Sequence, residues 1–93
     1  MGYHVYIVMC SDGSYYVGHT DDLASRMRRH NEGRGPVYTR TRRPVTLLYS
    51  EACASEACAV TRERQLKNWS AAKKEALVRG DRARLRRLSQ SRD

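Results

Sequence analysis

The amino-acid sequence predicts an α+β domain, a small three-stranded antiparallel sheet flanked by helices in the order β-β-α-β-α-α. Three observations predict it. Two runs rich in β-branched and aromatic residues, Tyr3 to Cys10 and Tyr15 to His19, are separated by the turn cluster Ser11-Asp12-Gly13-Ser14. A third run, Val45 to Ser50, follows Pro44. The rest of the chain places apolar residues three or four apart behind capping residues, which is the helical pattern.

Each element has its own local cause. The first two runs form a hairpin, and strand alternation puts Tyr3, Val5, Ile7 and Met9 on one face with His4, Tyr6, Val8 and Cys10 on the other. Thr20 is placed to cap the next helix, with Asp21 and Asp22 in the first turn where the helix dipole favours negative charge. Leu23 and Met27 give that helix its apolar stripe, and Gly33 with Gly35-Pro36 ends it near Asn31 or Glu32. Residues 33 to 43 then read as a basic loop. Ser55 starts a second helix that carries Glu56 in its first turn and runs to Asn68. Ser70 restarts a third over Ala71 to Arg79, closed by Gly80, and Asp81 caps a short basic tail helix with Leu85 and Leu88 on one side, fraying beyond Ser89. The expected organisation is one domain over residues 1–80 and a basic C-terminal tail over 81–93.

Charge narrows the partner. The 93 residues carry 18 Lys and Arg against 10 Asp and Glu, a formal charge of +8, which favours an anionic partner, nucleic acid foremost. The distribution is uneven: residues 1–25 have no Lys or Arg, 26–43 have seven and 62–87 have ten. This predicts a basic surface on the first helix, its following loop and the C-terminal helices. No apolar run is long enough to span a bilayer and the N-terminus lacks the pattern of a signal peptide, so a cytoplasmic location is expected. Cys10, Cys53 and Cys58 fit neither a disulfide framework nor zinc-finger spacing and read as reduced fillers.

A few residues stand out as carriers of chemistry. Ala59, Val60 and Leu66 place Glu63 on the apolar stripe of its helix, where an unpaired carboxylate is costly. It either snorkels at the edge, pairs with a buried Arg, or faces a cleft and binds metal. Arg26 and His30, four apart, project from neighbouring turns of one helix face, and surface positions would explain both. Tyr6 and Tyr16 lie on the two hairpin strands, where packing is the default role. Gly18 permits close approach of another group.

Taken in order, HVYIV, then SYYVGHT, then Leu23, Arg26 and His30, then a helical Glu63, resemble the GIY-YIG endonuclease superfamily. VYTRTRRP and RERQLKNWSAAKKEAL are similar to its small stand-alone bacterial members and extend the likeness from residue 3 to about residue 80. The resemblance implies a metal-dependent DNA endonuclease, in the setting of DNA repair or recombination. It implies Tyr6, Tyr16, Arg26 and His30 as catalytic residues, Gly18 as structural, and Glu63 as ligand to one Mg²⁺ or Mn²⁺ ion. His4 departs from it, standing where the first motif has Gly.

The residue types suit that chemistry. Mg²⁺ accepts a single carboxylate and completes its shell with water and phosphate oxygens. An Arg guanidinium can stabilise charge growing on non-bridging oxygens. Tyr16 is assigned as the group that positions water and acts as base, Tyr6 as orienting that water, and His30 as alternative base or phosphate contact. The alternative class is a non-catalytic nucleic-acid-binding module. In either class Tyr38, Arg40, Arg42 and Arg43, with Lys67, Lys73 and Lys74, are the candidates for gripping phosphate and stacking a base.

Overall fold

In a computed structural model, which describes residues 2–90, the sheet forms from β1 (Tyr3–Met9), β2 (Tyr15–Thr20) and β3 (Thr46–Cys53) in the order β2-β1-β3. All pairings are antiparallel, and the hairpin register sets Tyr6 opposite Gly18 and Val8 opposite Tyr16. The helices are α1 (Leu23–Asn31), α2 (Val37–Arg40), α3 (Glu56–Lys67), α4 (Ala71–Arg79) and α5 (Arg82–Gln90). The predicted α+β class and element order hold, with α2 added inside the segment predicted as a basic loop. Pro36 precedes that single helical turn, its fixed φ suiting the entry, and Gly35 leaves room for it.

The central strand is apolar on both faces because both are covered. One face packs Val5, Ile7, Val17 and Cys53 against Ala59 and Leu66 of α3, with Trp69 and Leu77 at the margin. On the other, Tyr6, Val8, Cys10 and Val45 pack with Tyr16 and with Leu23 and Met27 of α1. The alternation predicted for β1 is therefore correct, and it describes two cores. Burying these side chains contributes roughly 1.5–3 kcal/mol for each large one.

Three boundaries differ from expectation. Asp22, not Thr20, caps α1: its carboxylate accepts from Ser25 N at 3.1 Å, while Thr20 Oγ1 accepts from Asp22 N at 3.1 Å and turns the chain into the cap. Strand β3 begins one residue late and continues to Cys53, because Glu51 and Cys53 keep pairing with β1 opposite Val5 and Tyr3. The tail helix, predicted to fray past Ser89, runs through Ser89 to Gln90, and residues 91–93 lie outside those described. Ser55 and Ser70 cap α3 and α4, and Gly80 closes α4 at φ +69°, as predicted. The cysteines are free, with Cys10 and Cys53 buried and Cys58 exposed. No helix among the described residues is long and apolar enough to cross a membrane.

The tightest packing constraint is at Gly18. A Cβ there would lie 2.5 Å from Tyr6 Oη and 2.7 Å from Tyr6 Cζ, so the phenol ring crosses the space a side chain would fill. Gly18→Ala must therefore displace Tyr6, at a cost of about 1–3 kcal/mol. Thermal denaturation should show a midpoint lower by about 4–8 °C per kcal/mol lost. Gly2→Ala, whose Cβ would make only an ordinary 3.5 Å contact, should leave the midpoint in place.

Candidate active site

Strand β2 is an edge strand, and a cleft of about 190 Å³ opens along it, lined by Tyr6, Tyr16, Gly18, His19, Arg26 and Glu63. The lining comes from both sides of the sheet. Tyr6, Tyr16 and Gly18 belong to the α1 side, and His19 and Glu63 to the α3 side. Gly18, whose missing side chain leaves its space to the Tyr6 phenol, brings that phenol to the sheet edge where the two sides meet. Of the residues assigned from the resemblance, Tyr6, Tyr16, Gly18, Arg26 and Glu63 meet here.

His30 does not line the cleft. It is wholly buried, so the surface position that would explain an isolated histidine is not the one it occupies. Its Nε2 lies 2.9 Å from Tyr6 Oη and its Nδ1 lies 2.9 Å from Thr39 Oγ1. The tautomer follows from the next link: the Thr39 hydroxyl donates to Pro36 O at 3.1 Å, so it must accept from His30 Nδ1–H. Nε2 then carries the lone pair and accepts from the Tyr6 phenol. Burial, aided by Arg26, holds the His30 pKa below its ordinary value, in keeping with a neutral ring. Gly35 makes the packing possible, since a Cβ there would come within 2.9 Å of His30 Nδ1. Any effect of His30 on a substrate must pass through Tyr6, and direct contact with phosphate is ruled out by its burial.

Glu63 is held on two sides. Lys67 Nζ bonds Oε2 at 2.7 Å across one helical turn, and His19 Nδ1 donates to Oε1. Burial alone would raise the Glu63 carboxyl, but the hydrogen bonds from Lys67 and then His19 outweigh it and hold the pKa below the ordinary carboxylate value. Glu63 therefore faces the cleft as a carboxylate. The Tyr16 phenol is raised by burial, with Lys67 opposing, and Tyr6 is raised further, again by burial, with Arg26 opposing. Both phenols keep their protons at neutral pH.

A single ion of the Mg²⁺ type fits this donor set. Among the described residues no group of three or more His, Cys, Asp or Glu side chains could hold a metal, which argues against a site built wholly from protein ligands. One anionic carboxylate beside a cavity of about 190 Å³ matches an ion that keeps most of its water.

The assigned phosphate-gripping residues divide into three places. Tyr38 stacks on Tyr16, with centroids 5.9 Å apart, and the Arg42 guanidinium lies 4.0 Å over the outer face of Tyr38, anchored to Asp12 Oδ2 at 3.0 Å. This column forms one wall beside the cleft, and Lys67 Nζ lies 5.7 Å from the Tyr16 ring centroid. Arg40 and Arg43 line a separate groove. Lys73 packs 5.0 Å over Trp69, against the core face opposite Tyr6, and Lys74 is partly buried, its pKa lowered by that burial; neither lines the cleft.

Sequence reasoning missed His19, Thr39 and Asp12. His19 follows the second tyrosine segment directly, but strand alternation sends it to the face away from Tyr16, so no pattern along the chain pairs it with Glu63. Thr39 sat inside a segment read as loop.

This arrangement defines a class of protein: a compact sheet whose two tyrosine strands, first helix and glutamate-bearing helix build one cleft. The family model described as the GIY-YIG catalytic domain matches residues 2–76, and the chain belongs to that family, within a nuclease superfamily. Within it the resemblance is to small stand-alone proteins named UPF0213. The chain is 49% identical over 75 residues to one from Halobacterium salinarum, covering 81% of this chain and 97% of that protein. It is 42% identical over 76 residues to one from Bacillus pumilus, covering 82% and 78% respectively. The solution NMR structure of a UPF0213 protein from Bacillus halodurans is similar at a TM-score of 0.54, with 42% identity over 84% of this chain and 83% of that one. An E. faecalis protein, also solved by NMR, gives 0.60 with 28% identity over 89% and 88%.

The His30 cluster carries a pH signature. Because its folded pKa lies below the ordinary 6.5, the unfolded chain takes up a proton first as pH falls. The stabilisation is complete above about pH 6.5 and is lost progressively as pH drops toward the folded pKa. His30→Gln should melt at lower temperature throughout, since Gln cannot span both partners, and should lack this part of the decline between about pH 7 and 5. Melting curves across that range check it; parallel curves for wild type and variant would disprove the linkage.

Proposed function

We propose that this protein hydrolyses phosphodiester bonds in nucleic acid, DNA foremost, using one Mg²⁺ or Mn²⁺ ion at Glu63. The observation that supports it best is the convergence of Tyr6, Tyr16, Arg26 and Glu63 from four separate elements on a single edge cleft. A structural role would not require the Tyr16 phenol, a guanidinium and a carboxylate to line one open cleft over the buried Tyr6 phenol.

The roles follow from the contacts. Arg26 offers N–H donors to the non-bridging oxygens of the scissile phosphate as their charge grows. Tyr6, whose hydroxyl hydrogen is committed to His30, presents its oxygen as an acceptor that orients the attacking water. Tyr16 positions the same water and serves as base once its own phenolic proton has left to solvent, a loss that burial opposes and the Lys67 ammonium eases. A bound ion supplies charge neutralisation at the phosphate and the leaving oxygen. His19 and Lys67 orient the Glu63 carboxylate, and Lys67 must yield one oxygen when the ion enters.

The neutral His30 ring gives a second route for the proton. The water proton passes to Tyr6 Oη as the Tyr6 hydroxyl proton passes to His30 Nε2, so charge ends on an imidazole with a better matched pKa than a phenol. Tyr16→Phe and His30→Gln, compared with wild type, tell the two routes apart by which one abolishes cleavage.

The deciding experiment incubates purified protein with duplex, single-stranded and branched DNA in Mg²⁺ or Mn²⁺. Glu63→Gln and Arg26→Ala should each lower cleavage by about 10²-fold or more while retaining wild-type circular dichroism. Equal cleavage by wild type and both variants would assign the activity to a contaminant. Salt-sensitive binding without any Glu63-dependent cleavage would make the protein a binding module.

A further inference from the structure

Beyond the cleft lies an open groove of about 510 Å³ lined by Asn31, Arg40, Thr41, Arg43 and Pro44. The turn of α2 and the residues after it sort their side chains in three directions. Tyr38 and Arg42 go to the wall beside Tyr16, Thr39 goes inward to His30, and Arg40 and Arg43 go to the groove.

Both groove arginines are held in place without being neutralised. Arg40 Nε donates to Gly35 O at 2.9 Å; Arg43 Nε donates to Arg40 O at 3.0 Å and its Nη1 to Asn31 O at 3.3 Å. Gly33 lies beneath the Arg43 guanidinium, where a Cβ would come within 3.0 Å of Nη1. Carbonyls fix orientation but leave the positive charge intact. Among the described residues Arg34, Arg42, Arg62 and Arg79 each pair with a carboxylate, whereas no ion pair reaches Arg40 or Arg43. A guanidinium has five N–H groups, and these anchors use one at Arg40 and two at Arg43, so donors remain for an oxyanion. The Thr41 hydroxyl is available beside them.

We infer that this groove is a second anion site, distinct from the cleft, which takes a phosphodiester of the nucleic-acid backbone away from the bond that is cut. The inference rests on the nucleic-acid reading above and deepens it. An open groove with two anchored, unpaired guanidiniums suits a continuous backbone better than an enclosed small molecule. The site grips without reading bases, since only backbone charge is addressed. Its place on α2, whose Thr39 supports His30, sets the held strand at a fixed distance from Tyr6.

The test measures binding of a labelled DNA duplex by fluorescence anisotropy at several salt concentrations, with divalent ions chelated so that nothing is cut. The Arg40→Gln/Arg43→Gln protein should show a shallower dependence of log K on log salt, by about 1.8 for two lost duplex phosphate contacts. Arg28→Gln/Arg29→Gln removes the same charge from exposed positions of α1 outside the groove and should change the slope by less than half as much. Arg40→Gln alone leaves the Arg43 anchors in place, because they are backbone carbonyls, and guards against a folding defect with an expected change of about 0.9. Inorganic phosphate, titrated while the arginine Nε–H resonances are followed by NMR, should shift those of Arg40 and Arg43. An unchanged slope in the double variant, or an equal change in the α1 control, overturns the inference. Phosphate shifts with an unchanged slope also overturn it, making the ligand a free phosphate. A reduced slope without Glu63-dependent cleavage upholds the groove and removes the hydrolytic reading; the reverse pattern removes the groove and keeps hydrolysis.

Discussion

The structure depends on one buried hydrogen bond, from the Tyr6 phenol to His30 Nε2 at 2.9 Å, with both residues wholly excluded from solvent. Two polar side chains without partners at this depth would cost several kcal/mol, so the surroundings are arranged to complete the bond. Gly18 yields the space through which the phenol passes, and Gly35 yields the space against the imidazole. Thr39 takes the second ring nitrogen and passes its own hydrogen to Pro36 O. The short helix α2 is positioned by this demand, and with it the Tyr38–Arg42 wall and the groove of Arg40 and Arg43. A packing decision inside the α1-side core thus sets both basic surfaces near the cleft.

The opposite side of the sheet is organised by charge. Glu63 sits where the helical stripe called for an apolar residue, and its neighbours accommodate it: Lys67 from the same helix and His19 from β2. Farther along, Glu51 on β3 takes Arg62 at 2.9 Å and accepts from Tyr49, whose phenol is pushed up to about 12 by burial and then by this carboxylate. Burial works against Glu51 as well, but the Arg62 and Tyr49 hydrogen bonds prevail and hold it below the ordinary carboxylate value. Glu51 and Glu63 are alike in having partners and differ in surroundings. Glu51 is locked to a fork of guanidinium donors, whereas Glu63 faces a cleft with one ammonium that can swing away.

Much of this was legible in the sequence because it is local. The hairpin, the caps at Ser55 and Ser70, the Gly80 stop and the odd placement of Glu63 all follow from residues within one or two turns. What was not legible depends on contacts across long separations. His30 could not be told from a surface histidine until Tyr6, 24 residues away, was seen to donate to it. The Glu63–His19 contact spans 44 residues and joins opposite sides of an edge strand, which no periodicity encodes. The basic loop hid α2 because a helix of four residues is too short to show a repeat. Lys67, Lys73 and Lys74, close along the chain, differ in surroundings: Lys67 reaches Glu63 and Tyr16, whereas Lys73 lies over Trp69.

The hydrogen bonds from Tyr6 through His30 and Thr39 to Pro36 all run in one sense, each donor pointing away from the cleft. The tyrosine oxygen therefore has no hydrogen left to give: the backbone carbonyl of Pro36, at the far end of the chain, decides that Tyr6 can only accept at the cleft floor.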